Sequence, residues 1–274
     1  MTEPSTAAPT ADRLQVLLDD LAVESAALDG MVAGLDETEW RRPTPAAGWD
    51  VATSVAHLAW TDEVAVLAAT DKEGWGRLVV EAMADPTGFV DAQALAGGAA
   101  EPGELLDRWR ASRARLAEVL ATHPPQDKLP WFGPPMSPTS MATARYMETW
   151  AHGLDVADAL GAVVEPHDRV RHVVHIGVRT RGFSFANNGQ PVPSTDVRLE
   201  LVAPSGAVWE YGPAEADQRV TGPAWDFALL VTQRRHRADL ELAAQGADAD
   251  RWLDVAQAFA GPSGSGRTPS DGTS

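Results

Sequence analysis

The chain has 274 residues, no cysteine, and a formal net charge of −17 from 22 basic and 39 acidic residues. Without a thiol it cannot form a disulfide, a cysteine-ligated zinc or iron–sulfur site, or an internal sulfur nucleophile. Its acidity, with no basic block longer than Arg234-Arg235, argues against a nucleic-acid partner. The start of the chain has no signal-peptide pattern and no run approaches about 18 apolar residues, so we expect a cytoplasmic protein that does not contact a membrane.

The first two thirds of the chain has the apolar spacing of amphipathic helices. Glycines and prolines between residues 71 and 98 limit that stretch to short helices, and six prolines between 124 and 138 predict a stiff extended connection. The long helices are predicted over about residues 11–35, 49–69, 101–122, 140–160 and 168–185.

The last third changes to the alternating pattern of strands. Residues 197–201 and 208–211 flank the turn sequence Pro204-Ser205-Gly206, which predicts a hairpin. A short strand over 219–221 and helices over 223–234 and 248–259 complete the pattern. The fold is therefore predicted to be mainly α with a small α+β C-terminal domain.

We expect a helical bundle over residues 11–186 and the α+β domain over 190–260. The N-terminal residues 1–10 and the Gly/Ser/Pro-rich tail 261–274 are predicted to be disordered. No heptad or isolated apolar face indicates an interface, so the oligomeric state stays open.

Glu148 and His152 lie four residues apart in the fourth long helix. This spacing places both side chains on one helix face, where they can bind one metal ion. His57 lies in an apolar stretch of the second helix, where an imidazole without a partner would be poorly satisfied. Packing of these two helices would create a two-histidine, one-carboxylate site with open coordination positions. The alternatives are a solvated pair for Glu148 and His152 and a hydrogen-bonded core histidine for His57.

Three strings resemble the DinB-like metal-dependent enzymes, and within them the actinobacterial mycothiol-dependent maleylpyruvate isomerase group. These are the stretch from Arg42 to Trp49, the stretch from Val51 to Trp60, and the helix segment from Glu148 to Asp155. The resemblance implies a four-helix bundle followed by a small sterol-carrier-like unit. It also implies that His57, Glu148 and His152 bind a divalent metal, commonly zinc, and that mycothiol is the thiol cofactor.

Other residues receive weaker interpretations. Asp155 is either an acceptor for the second N–H of His152 or an ordinary surface carboxylate, whereas Asp62 and Glu63 are expected to face solvent. A stripe of His172, His175 and Arg179 could hold an acidic substrate or could simply be a solvated surface. Arg234 and Arg235 could bind a substrate carboxylate or could only complement the end of a helix.

Three functions fit these features. The first is a metal-dependent transferase or isomerase that activates a thiol cofactor against a small electrophilic, acidic metabolite. The second is a hydrolase or lyase that uses metal-bound water. The third is a metal- or ligand-binding module without catalytic activity.

Overall fold

The computed structural model describes residues 10–264 and 266–270. The chain divides into two compact units, with the boundary between Val163 and Val164. The predicted disordered N-terminus lies, except for Thr10, outside the described residues.

The N-terminal unit is helical. Capping residues mark the starts of two long helices. Asp50 caps one of them by accepting a hydrogen bond from the Thr53 backbone N–H at 2.7 Å. Ser137 caps another, with Pro138 at the first helical position. The helices are α1 Thr10–Val32, α2 Glu37–Trp40, α3 Val51–Thr70, α4 Lys72–Ala84, α5 Phe89–Gly98, α6 Pro102–Thr122 and α7 Pro138–Leu160.

Four long helices, α1, α3, α6 and α7, form the predicted bundle. The central helix α3 packs against α5, α6 and α7, and α1 packs against α7. Fully buried tryptophans contribute much of the core, among them Trp40, Trp109 and Trp150. Because α3 and α7 are neighbours, the residues that they carry can meet inside the bundle.

The C-terminal unit contains a four-stranded sheet in the order β2-β1-β3-β4, with β1 Val197–Val202, β2 Val208–Tyr211, β3 Gln218–Pro223 and β4 Ala243–Gln245. The predicted hairpin is confirmed, with Leu201 opposite Trp209 in the antiparallel pair of β1 and β2. Strand β3 runs parallel to β1, and β4 is antiparallel to β3. The helices of this unit are α8 Arg171–Arg179, α9 Arg181–Asn187, α10 Ala224–Val231 and α11 Ala247–Val255.

The domain boundary differs from the predicted one. Helix α7 ends at Gly161, which has a left-handed backbone, and residues 164–187 belong to the second unit rather than to the bundle. A Cβ added at Gly177 would lie 2.8 Å from Val231 and 3.1 Å from Phe227, so α8 and α10 approach closely at this glycine. The segment was assigned to the bundle because its amphipathic pattern does not specify which partner it packs against.

Two predicted helices also have different ends. The helix predicted over residues 168–185 is a 3-10 turn followed by α8 and α9, which meet at Thr180. The helix predicted to reach Arg234 ends at Val231 because Gln233 has a φ of 57°, while the backbone N–H of Arg234 donates to Leu229. This is the hydrogen-bond pattern of a Schellman end, with glutamine in the position usually taken by glycine.

Part of the predicted disordered tail packs on the C-terminal unit. The Gln233 side chain donates to the Ser263 carbonyl at 3.0 Å, and the backbone N–H of Ser270 donates to Asp239 at 2.9 Å. Such polar contacts leave no periodic pattern in the sequence, so the sequence does not predict them. Residues 265 and 271–274 of the tail lie outside the described part of the chain. Among the described helices, none is long and apolar enough to cross a bilayer.

Candidate metal centre

The structure brings His57, Glu148 and His152 together, and we refer to them as the triad. His57 lies on α3, and the other two residues lie one turn apart on α7. Each residue offers one possible metal-ligand atom, and these three atoms all lie within 4.8 Å of one another. The Nε2 atoms of His57 and His152 lie 3.3 Å and 3.4 Å from the same Glu148 oxygen, Oε2.

The triad is largely withdrawn from solvent. The side chains of His57, Glu148 and His152 are 9%, 18% and 11% exposed. Trp49, which precedes α3, stacks on the His152 ring at 5.3 Å and also contacts the His57 ring at 5.1 Å. The sequence pattern quoted above includes Trp49, but nothing in it predicts that this ring forms a wall of the site.

His152 has a carboxylate at each ring nitrogen. Its Nε2 atom lies 3.4 Å from Glu148, and its Nδ1 atom lies 3.2 Å from Oδ2 of the buried Asp155. A neutral imidazole carries one proton and can donate to only one of these two groups. Each of the two carboxylates therefore favours a proton on the ring nitrogen that it faces, or a positive charge beside that nitrogen.

The charges around Glu148 favour its ionised form. Burial alone would raise its pKa, but the histidine side chains and the Arg145 guanidinium outweigh burial and hold the pKa well below the ordinary value. Arg145 is three residues before Glu148, and its Nη2 atom lies 3.9 Å from Oε1. Burial, with a contribution from nearby His152, lowers the pKa of His57 and keeps its imidazole neutral, as a metal ligand must be.

Two imidazoles and one carboxylate are a donor set that can hold a divalent metal ion. Bonds of about 2.0–2.1 Å that meet at tetrahedral angles place ligand atoms about 3.3–3.4 Å apart. The two distances from Glu148 Oε2 to the histidine nitrogens are 3.3 Å and 3.4 Å. The contact between His152 and Asp155 also favours a proton on Nδ1, which leaves the Nε2 lone pair facing the metal position.

Comparisons with known proteins place the chain. The model of the mycothiol maleylpyruvate isomerase N-terminal domain matches residues 21–157, half of the chain. A second model, described as wyosine base formation, matches residues 194–245. The chain belongs to the mycothiol maleylpyruvate isomerase family.

Relatives and solved structures resemble the chain over most of its length. Uncharacterized proteins from two strains of Mycobacterium tuberculosis are 53% identical over 248 residues, which cover 90% of this chain and 96% of each relative. The crystal structure of the mycothiol-dependent maleylpyruvate isomerase matches with a TM-score of 0.58 at 15% identity, covering 84% of this chain and 92% of the isomerase chain. A histidine-to-alanine mutant of that isomerase matches with a TM-score of 0.56 at 16% identity, over 81% and 89% of the two chains. At these identities the isomerase structures establish the common fold alone.

Within this family fold, the acidic residues after His57 differ from their predicted role. Asp62 was expected in solvent, yet it is only 5% exposed, and burial raises its pKa to about 7. Glu63 is partly exposed and forms a two-pronged ion pair with Arg108, in which both distances are 2.7 Å. The apolar stretch around these residues continues past His57, so the helix is buried on most of its circumference.

The remaining predicted site residues lie in the C-terminal unit. His175 and Arg179 are exposed and His172 is half-buried; partial burial and the neighbouring Arg179 lower the pKa of His175. Arg234 and Arg235 follow the end of α10, where Arg235 lines a surface cavity of about 450 Å³ together with His236 and Arg237. This cavity contains no triad residue, and the roles suggested for these five residues remain predictions.

Proposed function

We propose that this protein is a metal-dependent enzyme that uses a divalent metal, zinc, to activate a thiol cofactor of the mycothiol type. The thiol would be transferred to, or would isomerise, a small electrophilic and acidic metabolite. His57, Glu148 and His152 would hold the metal. The observation that carries this proposal is the convergence of two imidazole Nε2 atoms on one carboxylate oxygen, with a second carboxylate behind His152.

When bound, the metal would lower the pKa of a thiol or water toward neutrality and so supply a nucleophile. The protein's own residues have separate tasks. Glu148 contributes negative charge, and the Asp155 carboxylate, 3.2 Å from Nδ1 of His152, favours the tautomer that leaves Nε2 free. Trp49 covers both imidazole rings and limits access of water.

The absence of cysteine supports an external thiol. The chain has no sulfur nucleophile of its own, so thiol chemistry requires a diffusible cofactor. Family membership supports mycothiol as that cofactor and maleylpyruvate as the first substrate to test.

The first experiment measures metal content in protein purified without chelator. We expect about one zinc per chain in the wild type and loss of zinc in His57→Ala and Glu148→Gln. Glu63→Gln is the matched control because its carboxylate lies on the same helix as His57 but pairs with Arg108. Wild-type protein without stoichiometric metal, or equal metal content in all variants, contradicts the proposal.

The second experiment separates the thiol from the water mechanism. Metal-loaded protein is assayed with maleylpyruvate in the presence and absence of mycothiol, and we expect turnover only with the thiol. Turnover without thiol would instead support a metal-water hydrolase or lyase, and retained metal without any turnover would support a binding module.

A further inference from the structure

Arg145 is a buried cation beside the triad whose hydrogen-bonding capacity is largely unused. Its side chain is 4% exposed, and neither Nε nor Nη1 has a hydrogen-bond partner in the described part of the chain. Its nearest anionic atom is Oε1 of Glu148, at 3.9 Å, which is too long for a hydrogen bond. A guanidinium in this state is costly, because a buried charge needs both a counter-charge and hydrogen bonds.

Packing explains the orientation of the Arg145 side chain but not why a charged residue occupies this buried position. The guanidinium lies over the Trp131 ring at 5.5 Å, and Trp131 in turn stacks on Trp75 at 6.2 Å. These aromatic rings hold the side chain with its Nη2 end toward Glu148. A methionine or leucine could fill the same apolar space without the cost of a buried charge.

The formal charges around the triad suggest a role for Arg145. A divalent metal held by two neutral histidines and Glu148 keeps a net charge of +1, and Arg145 raises it to +2. Asp155 returns it to +1, and the buried Asp62, on which Arg145 also acts electrostatically, is only partly ionised at neutral pH because burial raises its pKa to about 7. A positive centre that is withdrawn from solvent attracts an anion locally, although the net charge of the chain is −17.

We propose that Arg145 is the specificity residue that holds a carboxylate of the ligand beside the metal centre. The carboxylate would receive N–H groups from the guanidinium, whose Nε and Nη1 donors are unused in the described part of the chain, while the rest of the ligand lies at the metal. This inference rests on the proposed function, since it assumes that the triad binds metal.

The test measures binding of succinate to the zinc-loaded full chain by calorimetry, with neutral succinamide as the uncharged probe. We expect the wild type to bind succinate and not succinamide, and Arg145→Gln to weaken succinate binding by about 10- to 100-fold, the range for a charge-assisted hydrogen bond. Arg145→Lys should retain part of the affinity because it keeps the charge and loses the planar fork.

Arg113→Gln is the matched control in the same bundle. Its guanidinium is already engaged, donating to the Ser25 carbonyl at 2.8 Å and to Asp29 at 2.6 Å, so succinate binding should not change. Zinc content and the thermal midpoint are recorded for every variant, so that a folding defect is recognised. Arg145→Lys provides the second measurement if Arg145→Gln does not fold.

The outcomes separate the two proposals. Zinc-free wild-type protein contradicts the proposed function itself. Zinc-loaded wild type that fails to bind succinate at millimolar concentration, or Arg145→Gln with normal zinc and unchanged succinate affinity, overturns the role of Arg145 alone.

Discussion

At the scale of single residues, three carboxyl groups in the bundle interior differ in their surroundings. Glu148 is kept ionised by the histidines and Arg145, whereas Asp62 is pushed toward its neutral form by burial. Asp155 is buried against His152 rather than exposed on the helix surface. Environment rather than residue type therefore decides which carboxylate carries charge.

Asp62 should make the stability of the protein depend on pH. Its pKa is about 7 in the folded chain and near 3.9 when unfolded, so folding is penalised as pH rises from about 4 to 7, and the penalty is constant above that range. We expect Asp62→Asn to gain stability relative to the wild type across this interval, by about 2–4 kcal/mol.

Urea unfolding of chelator-treated protein at pH 4.5, 6 and 8 measures this difference. Asp107→Asn serves as the control because the Asp107 side chain is 81% exposed, and it should give no such trend. A stability difference between Asp62→Asn and wild type that does not change with pH contradicts the prediction.

Asp155 should tune the metal affinity through His152. Replacing it with asparagine removes the negative charge 3.2 Å from Nδ1, and changes of this kind behind a ligand cost about 10- to 100-fold in metal affinity. Competition of Asp155→Asn against a zinc chelator gives the dissociation constant. The exposed Asp158 on the same helix provides the control, Asp158→Asn; equal affinities in the two variants would disprove the role of Asp155.

At the scale of elements, close helix contacts determine where the triad helices lie. Helix α5 touches α3 at Gly98, where an added Cβ would lie 2.9 Å from the Thr53 Cα and 3.0 Å from the Thr53 backbone nitrogen. A backbone neighbour cannot rotate away as a flexible side chain can. The glycine thus sets the separation of α5 from the helix that carries His57.

Gly98→Ala should therefore destabilise the N-terminal unit by about 1–3 kcal/mol, as expected for overpacking. Gly30→Ala on α1 is the control, because nothing lies within 4 Å of its added Cβ, and it should be neutral or stabilising by about 0.5–1 kcal/mol. Chemical unfolding measures both variants. The prediction is wrong if Gly98→Ala is as stable as Gly30→Ala.

At the scale of the whole molecule, the triad and the residues that support it belong to one unit. Trp49, Arg145 and Asp155 precede the boundary between Val163 and Val164, as do the three triad residues. The C-terminal unit has its own sheet and its own core, which includes Phe227 and Trp252. We therefore expect the proposed metal binding to be separable from any contribution of the C-terminal unit to turnover.

A fragment of residues 1–163 should bind zinc with an affinity within a few fold of that of the full chain. Circular dichroism and cooperative unfolding establish that the fragment folds, and chelator competition then compares its zinc affinity with that of the intact protein. A folded fragment whose affinity falls by more than about tenfold, equivalent to 1.4 kcal/mol, would show that the metal centre needs the C-terminal unit.

Local sequence patterns were sufficient to predict much of the secondary structure of this protein. The helical period predicted α1, α3, α6 and α7, the alternating pattern and turn predicted the hairpin of β1 and β2, and the Glu148–His152 spacing placed two side chains on one face. Each of these features depends on residues within one or two turns of each other, so it can be read without knowledge of the fold.

Only the tertiary structure decided which surfaces meet. It placed His57 at the Glu148–His152 pair, put Trp49 over both imidazoles, and buried Asp62 and Arg145. It also moved residues 164–187 from the bundle to the C-terminal unit. The physical reason is that burial, and with it the pKa of a carboxylate or the cost of an unpaired guanidinium, is set by neighbours distant in sequence, which helical periodicity does not specify.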